Sequence, residues 1–265
     1  ARLLPLLRDL RRVIRQVQPD LIHAGPIQTA AFLAALAGFP RLVSMSWGYD
    51  LMRDADRSSA MRWLTHFTLK RSAALVGDCE PVRQQALKFG MPAGRIVTFP
   101  WGVDLKHFSP ASRWESSLKE LDVPLRLLST RSWELIYGVE VLAEGFAQAA
   151  QQLEPGKVQL VMLGNGALAG TLRGVFTRAG VSEQVFFPGQ VNQAELPRYY
   201  CQADLYVSAS RTDGTSISLL EALACGTPAL LSDIPGNREW LEPGTQGWYF
   251  KDGDAGSLAQ AILHA

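Results

Sequence analysis

Two hydrophobic periods alternate along the chain. Short apolar runs bounded by Gly, Pro, Asn or Asp alternate with stretches in which apolar residues return every three or four positions. The first pattern is that of strands buried on both faces, the second that of helices. Runs at 20–23, 41–46, 74–77 and 96–99 predict strands, separated by helical patterns over 29–37, 57–72 and 80–89. After a polar stretch at 111–124, strands are expected at 125–130, 158–163, 185–187, 205–208 and 229–232, with helices at 138–150, 168–179, 196–203 and 217–224. Strand and helix alternating at this spacing imply parallel sheets with helices on both faces. The expectation is an α/β chain of two Rossmann-like, doubly wound domains, 1–110 and 125–265, joined by a linker at 111–124.

The chain opens in a helical pattern, ARLLPLLRDLRRVIRQVQ, and stops in another, SLAQAILHA. Doubly wound domains normally begin with a strand, so an N-terminal strand–helix portion and a C-terminal helix are expected to lie outside this sequence. In the opening helix Leu10, Val13, Ile14 and Val17 stand against Arg8, Arg11, Arg12 and Arg15. Such a helix suits the solvated side of a layer packed on a sheet, the commoner arrangement, or a membrane surface.

Composition narrows the function. With 265 residues, 47% hydrophobic and 19% charged, the chain is long enough for true cores. A net charge of +1 excludes a strong field for nucleic acid, and no nucleic-acid partner is expected. Cys79, Cys201 and Cys225 are far apart and lack metal-ligand spacing, which fits a reducing cytosol. No apolar run reaches the roughly 18 residues of a membrane span. The expected location is the cytoplasm, with at most peripheral contact with the inner membrane.

Residues 208–228, SASRTDGTSISLLEALACGTP, carry the most chemistry. A strand end passes through a polar loop into an apolar helix that closes on Gly226 and Pro228. Asp213 and Glu221, with seven residues between them, bracket the start of that helix. The backbone N–H groups of Gly214, Thr215 and Ser216 lie at its N-terminus, where unpartnered amides and the macrodipole favour an anion. Acids at each end add acceptors for sugar hydroxyls, so the segment suits a sugar attached to a phosphate, a nucleotide sugar. Ordinary helix capping explains the same residues locally. Arg131 follows the strand 125–130, where a guanidinium meets a diphosphate with a bidentate fork. Gly164-Asn165-Gly166 lacks the third glycine and downstream acid of a dinucleotide fingerprint, which disfavours NAD. His23 stands at the C-terminal end of the strand 20–23, where open α/β sheets place ligands.

The segment Glu221-Ala222-Leu223-Ala224-Cys225-Gly226-Thr227-Pro228, with Asp213 in place of the usual first Glu, resembles the carboxylate signature of family 4 glycosyltransferases. These are retaining enzymes with the GT-B architecture of two Rossmann-like domains facing a cleft. The likeness runs from about Leu21 to the end of the chain, and includes Gly102-Val103-Asp104 with Phe108 and Pro110. The resemblance implies that Glu221 holds the ribose hydroxyls, Asp213 the donor sugar, and the amides of Gly214 to Ile217, with Arg131, the diphosphate. Gly164, Gly166, Gly189 and Val191 would border the donor, the last two its base. Relatives carry a Lys about six residues after the Arg; Tyr137 stands there, leaving Arg211 as a candidate second cation. Trp47-Gly48-Tyr49-Asp50 occupies the place of a family His-Gly-x-Asp, so Gly48 and Asp50 join His23 on the acceptor side, with a helix cap as the other reading of Asp50. His107 is expected on the linker surface.

The implied reaction moves a sugar from a UDP-, GDP- or ADP-linked donor to a glycan, lipid or small-molecule hydroxyl. Asp213 and Arg131 are the catalytic candidates, and neither a metal nor a cofactor is expected. A non-catalytic nucleotide-sugar-binding protein is the alternative. A sugar-nucleotide epimerase would need an acid/base pair that is not evident.

Overall fold

The computed structural model describes residues 3–110 and 124–265. The predicted linker 111–124, Pro124 apart, lies outside them. The chain divides into two compact units, one of Ala1–Trp101 with Thr212–Thr215, the other of Gly102–Arg211 with Ser216–Ala265.

In the first unit the order is α1 (Leu3–Val17), β1 (Ile22–Ala24), α2 (Phe32–Ala37), β2 (Leu42–Met45), α3 (Tyr49–Met52), α4 (Ser59–Arg71), β3 (Ala74–Gly77), α5 (Glu80–Lys88) and β4 (Ile96–Thr98). The strands form a parallel sheet in chain order, β1-β2-β3-β4, with Ile22 opposite Leu42, Val43 opposite Ala74 and Leu75 opposite Ile96. Ile27, Leu51, Leu69, Leu75 and Val82 form its main core, all at most 1% exposed. Helix α1 buries only Leu7 and leaves Leu4, Val13 and Val17 exposed beside its arginines. Leu10 and Ile14, on the same face as Leu7, are half-buried, so the packed side is real but narrower than the period predicts. Helix α3 was not expected; at four residues it is too short to carry a period.

The second unit continues with β5 (Leu125–Ser129), α6 (Val139–Ala150), β6 (Val158–Leu163), α7 (Ala169–Ala179), β7 (Val185–Gly189), α8 (Leu196–Gln202), β8 (Leu205–Ser208), α9 (Ile217–Ala224), β9 (Ala229–Ser232), β10 (Gly247–Phe250) and α10 (Ala255–His264). Among the described residues its six strands are parallel in the order β10-β9-β8-β5-β6-β7. From β5 the chain builds outward to β7, then returns to lay β8 on the other side. The topological switch point, where open sheets bind ligands at strand C-termini, therefore lies between β5 and β8.

The strand period of two sorts side chains to the two faces. Leu127 joins a cluster with Phe146, Leu160, Phe176 and Leu230, while its neighbour Leu128 joins Tyr200, Tyr206, Leu219 and Leu231 on the other. Phe108 inserts into this second cluster, 3% exposed and edge-on to Tyr200 at 6.0 Å. Burying a phenyl ring contributes roughly 1.5–3 kcal/mol. That anchor puts residues 102–110 in the second unit, so the division falls at Trp101–Gly102 and not after Pro110. All three cysteines are free and buried. Among the described residues no helix is long and apolar enough to cross a membrane.

Candidate functional site

The switch point in the second unit gathers Arg131, just beyond β5, and the start of α9. Ser216 caps that helix: its Oγ accepts the Leu219 N–H at 3.4 Å and a hydrogen bond from Arg131 Nη1 at 3.1 Å. The Arg131 guanidinium lies over the Tyr137 ring, 4.2 Å from its centroid. A cation–π contact of this kind contributes about 0.5–1 kcal/mol at an exposed site. Tyr137 thus supports the one cation in the position where relatives carry a second. Arg211, the other candidate cation, is paired through its Nη2 with Glu140 Oε1 at 3.0 Å.

Glu221, one turn into α9, is 7% exposed. Its Oε2 accepts the Tyr200 hydroxyl at 2.8 Å, and Gln193 Nε2 approaches Oε1 at 3.5 Å. Tyr200 is fully buried. Burial, with the charges of Tyr206 and Glu221 nearby, pushes its phenol well above the usual value, so it stays protonated and donates. A phenol has one proton to give, so Thr130, 3.2 Å from the Tyr200 oxygen, is the donor in that second contact. The chain Thr130–Tyr200–Glu221 ties the carboxylate to the residue just past β5 and to two helices.

Glu221 opens onto a cavity of about 440 Å³, lined also by Asp104, His107, Phe108, Gln193 and Ile217. Two carboxylates and no Lys or Arg stand in this lining. The cavity therefore repels phosphates and suits an uncharged, hydroxyl-bearing ligand part such as a nucleoside. His107 is not merely a linker surface residue. Its Nε2–H donates to the Gln193 carbonyl at 2.7 Å, and its ring packs edge-on to Phe108 at 4.9 Å.

The remaining donor candidates shape the backbone around the switch point. A Cβ at Gly166 would lie 2.5 Å from the Trp133 carbonyl oxygen, so only glycine lets that turn pack on the segment after β5. Gly164, after β6, gives its N–H to the Gly189 carbonyl at 2.7 Å, and Val191 packs at the edge of the second cluster. None of these four lines the cavity that Glu221 opens onto.

In the first unit, His23 is exposed on β1 and Trp47 is 50% exposed at the end of β2. Gly48 starts α3 with φ +83° and gives its N–H to Ser46 Oγ at 3.1 Å. Asp50 is a correction: it is fully buried, with no exposed surface to offer an acceptor. Its Oδ2 accepts Ile27 N–H at 2.9 Å, and its Oδ1 accepts the Ser46 hydroxyl at 2.6 Å and the Trp47 and Leu51 amides at 3.0 Å each. Burial raises its pKa against these four donors, which lower it. It acts as a knot for the local chain, neither acceptor contact nor simple cap.

Asp213, Gly214 and Thr215 also cluster with the first unit. Asp213 is partly buried. The expectation that the Thr215 amide faces a diphosphate is not met, because that N–H donates to Asp78 Oδ2 at 2.8 Å. Asp78, His107, Tyr137, Gln193 and Tyr200 are the residues that sequence reasoning missed. Among the described residues, no three His, Cys, Asp or Glu side chains come together to hold a metal ion.

The family model described as "Glycosyl transferases group 1" matches residues 126–265, just over half of the chain, and that described as "Glycosyl transferase 4-like domain" matches residues 1–102. The chain is similar to the amylovoran biosynthesis glycosyltransferase AmsK of Erwinia amylovora, 28% identical over 187 residues that make up 68% of this chain and 44% of that protein. It is also similar to the putative glycosyltransferase EpsD of Bacillus subtilis (strain 168), 24% identical over 284 residues, 98% of this chain and 70% of that protein. It thus spans less than half of one curated relative and about two thirds of another. Among solved structures, Anabaena Alr3699/HepE in complex with UDP-glucose aligns with a TM-score of 0.77 at 21% identity, over 98% of this chain and 71% of that one. The fold is GT-B, with two parallel-sheet α/β domains.

Proposed function

The chain belongs to the group 1 glycosyl transferases, and from that premise we propose that it moves a sugar from a nucleoside diphosphate sugar to an acceptor hydroxyl, with retention at the anomeric carbon and without a metal ion. The observation that carries this reading is the cavity beside Glu221, acidic and hydroxyl-accepting, in the same unit as an arginine set at a helix start. Glu221, held by Tyr200, takes the ribose hydroxyls. Arg131 and the amides of Ser216 and Ile217 take the diphosphate. Asp213 takes the donor sugar, and His23 and Gly48 stand on the acceptor side. The glycosidic C–O bond to the phosphate breaks while the acceptor oxygen bonds to the same carbon on the same face. Negative charge grows on the leaving diphosphate, and fixed donors aimed at it stabilise that charge without reorganising. UDP-glucose bound by a protein of the same fold supports a nucleotide-sugar donor. The acceptor is a glycan, lipid or small-molecule hydroxyl, and exposed Leu4 and Val17 among the arginines of α1 support peripheral contact with a membrane at its cytoplasmic face.

Calorimetry with UDP, GDP and ADP tests the reading. One nucleotide should bind, and Glu221→Ala should abolish that binding in a protein that still melts cooperatively. Removing Arg131 should lower turnover by about 10²–10³-fold, the usual cost of losing one charge-stabilising donor. Unaltered binding without Glu221 would remove the proposal's main support.

A further inference from the structure

We propose that Asp78 is a positioning residue that sets where the tip Asp213–Thr215 lies, acting through the Thr215 peptide group; the inference rests on the reading above that Asp213 meets the donor sugar. Asp78 directly follows β3 and is 4% exposed. Its Oδ2 accepts two hydrogen bonds, from Thr215 N–H at 2.8 Å and from Trp101 Nε1 at 3.2 Å. Its own backbone carbonyl accepts the Thr215 hydroxyl at 2.5 Å. Thr215 therefore gives both of its donors to one residue 137 positions away.

The packing leaves the tip one place. A Cβ on Gly214 would lie 2.3 Å from Asp78 Oδ2 and 2.6 Å from Oδ1, and a Cβ on Gly48 would lie 2.7 Å from the Gly214 nitrogen. Glycine at 214 is thus required by the Asp78 carboxylate, a different reason from close approach to a phosphate. Oδ1 is buried without a hydrogen-bond partner. A half-satisfied buried carboxylate is costly, which sets Asp78 apart from a residue that serves packing alone. A charge-assisted bond to a backbone N–H is shorter and stiffer than a neutral one. With the peptide units at 214 and 215 held, Asp213 keeps only its own side-chain torsions.

Both bonds fall on Oδ2, which makes the conservative variant informative. In Asp78→Asn the amide oxygen keeps the two bonds and the amide nitrogen replaces the unpaired oxygen; in Asp78→Ala both bonds are lost. The measurement is amide hydrogen exchange at Thr215 on the whole chain, together with donor kinetics and UDP and GDP affinities. Asp78→Ala should speed exchange at Thr215 by about tenfold, as expected for one lost hydrogen bond. It should also lower kcat by about a hundredfold, the effect of a displaced group near the chemistry. Nucleotide affinity should hold, since every residue lining the cavity lies in the second unit. Asp78→Asn, which keeps both bonds without the charge, should restore most of the exchange protection and of kcat. Wild-type exchange at Thr215 in Asp78→Ala would overturn the proposal, as would an Asn variant as impaired as the Ala one. If the wild type turns over no nucleotide sugar, yet exchange still responds to Ala and much less to Asn, the tie stands and the functional reading falls.

Discussion

Glu221 is held less by its own helix than by a phenol from the preceding one. Removing that phenol's oxygen in Tyr200→Phe leaves a nearly buried carboxylate oxygen without its donor. Hydrogen bonds to charged groups contribute about 1.5–3 kcal/mol, so the variant should melt lower and bind its nucleotide roughly tenfold more weakly, tenfold being 1.4 kcal/mol. Thermal melts and calorimetry on the same preparation read both. Asp50 behaves in the opposite sense. Burial is the largest influence on it and raises its folded pKa above the ordinary value of 3.8. A carboxyl with a raised folded pKa contributes stability that is full below the unfolded value and is lost as pH rises through the folded one. The unfolding free energy of the wild type relative to Asp50→Asn should therefore grow as pH falls from 7 toward 3.8. Urea titrations at the two ends of that range check the sign.

At the scale of elements, helix α9 ties stability to function through one cap. Ser216 serves both Leu219 N–H and Arg131. Ser216→Ala should cost about 1 kcal/mol, the usual value of an N-cap, and should lower donor turnover as Arg131 loses this hydrogen bond. Ser216→Asp should recover the stability, because aspartate caps as well as serine and favours the helix dipole. Turnover should stay low, since the new carboxylate occupies Arg131 and repels the diphosphate. Melting temperature and kcat would then part company across the two variants; a pair that moves together would sink the assignment. The strands at Ala74–Gly77, Val158–Leu163, Leu205–Ser208 and Ala229–Ser232 were legible to the residue, because apolar runs of strand length stand between turn and polar residues. Strand β10 was missed: it is an edge strand whose Trp248 is 46% exposed, so its pattern is not that of a buried run. The positions of Glu221, on a buried helix beside a cavity, and of Arg131, just past a strand, were legible because motif and strand end coincide. Asp78, Tyr200 and His107 were not, because each acts on a partner that only the fold brings near, as Asp78 does on Thr215. The role given to Asp50 failed for a related reason: a local motif does not say whether a carboxylate faces out or is consumed by surrounding amides.

Each of the two units has its own clusters of buried apolar residues, and the cavity beside Glu221 draws on the second unit alone. Both clusters of the second unit consist of residues between Phe108 and Ile262, and the cavity is lined from Gly102 to Glu221. Phe108 is decisive here, since it carries the segment bearing Asp104 and His107 into that core. The stretch 102–265 is of ordinary domain size and contains every hydrophobic contact just named. Expressed alone, it should therefore unfold cooperatively and bind the same nucleotide as the whole chain within about threefold, or roughly 0.6 kcal/mol. It should not transfer sugar, because it lacks His23, Gly48 and the Asp78 that holds Thr215. The amide of Thr215 should exchange faster in this piece than in the whole chain, while that of Leu219, capped within the unit by Ser216, should not. Calorimetry and exchange on the same sample decide the matter. Loss of nucleotide binding in a folded 102–265 would mean that residues outside the second unit complete the cavity, and the division of labour argued from its lining would be wrong.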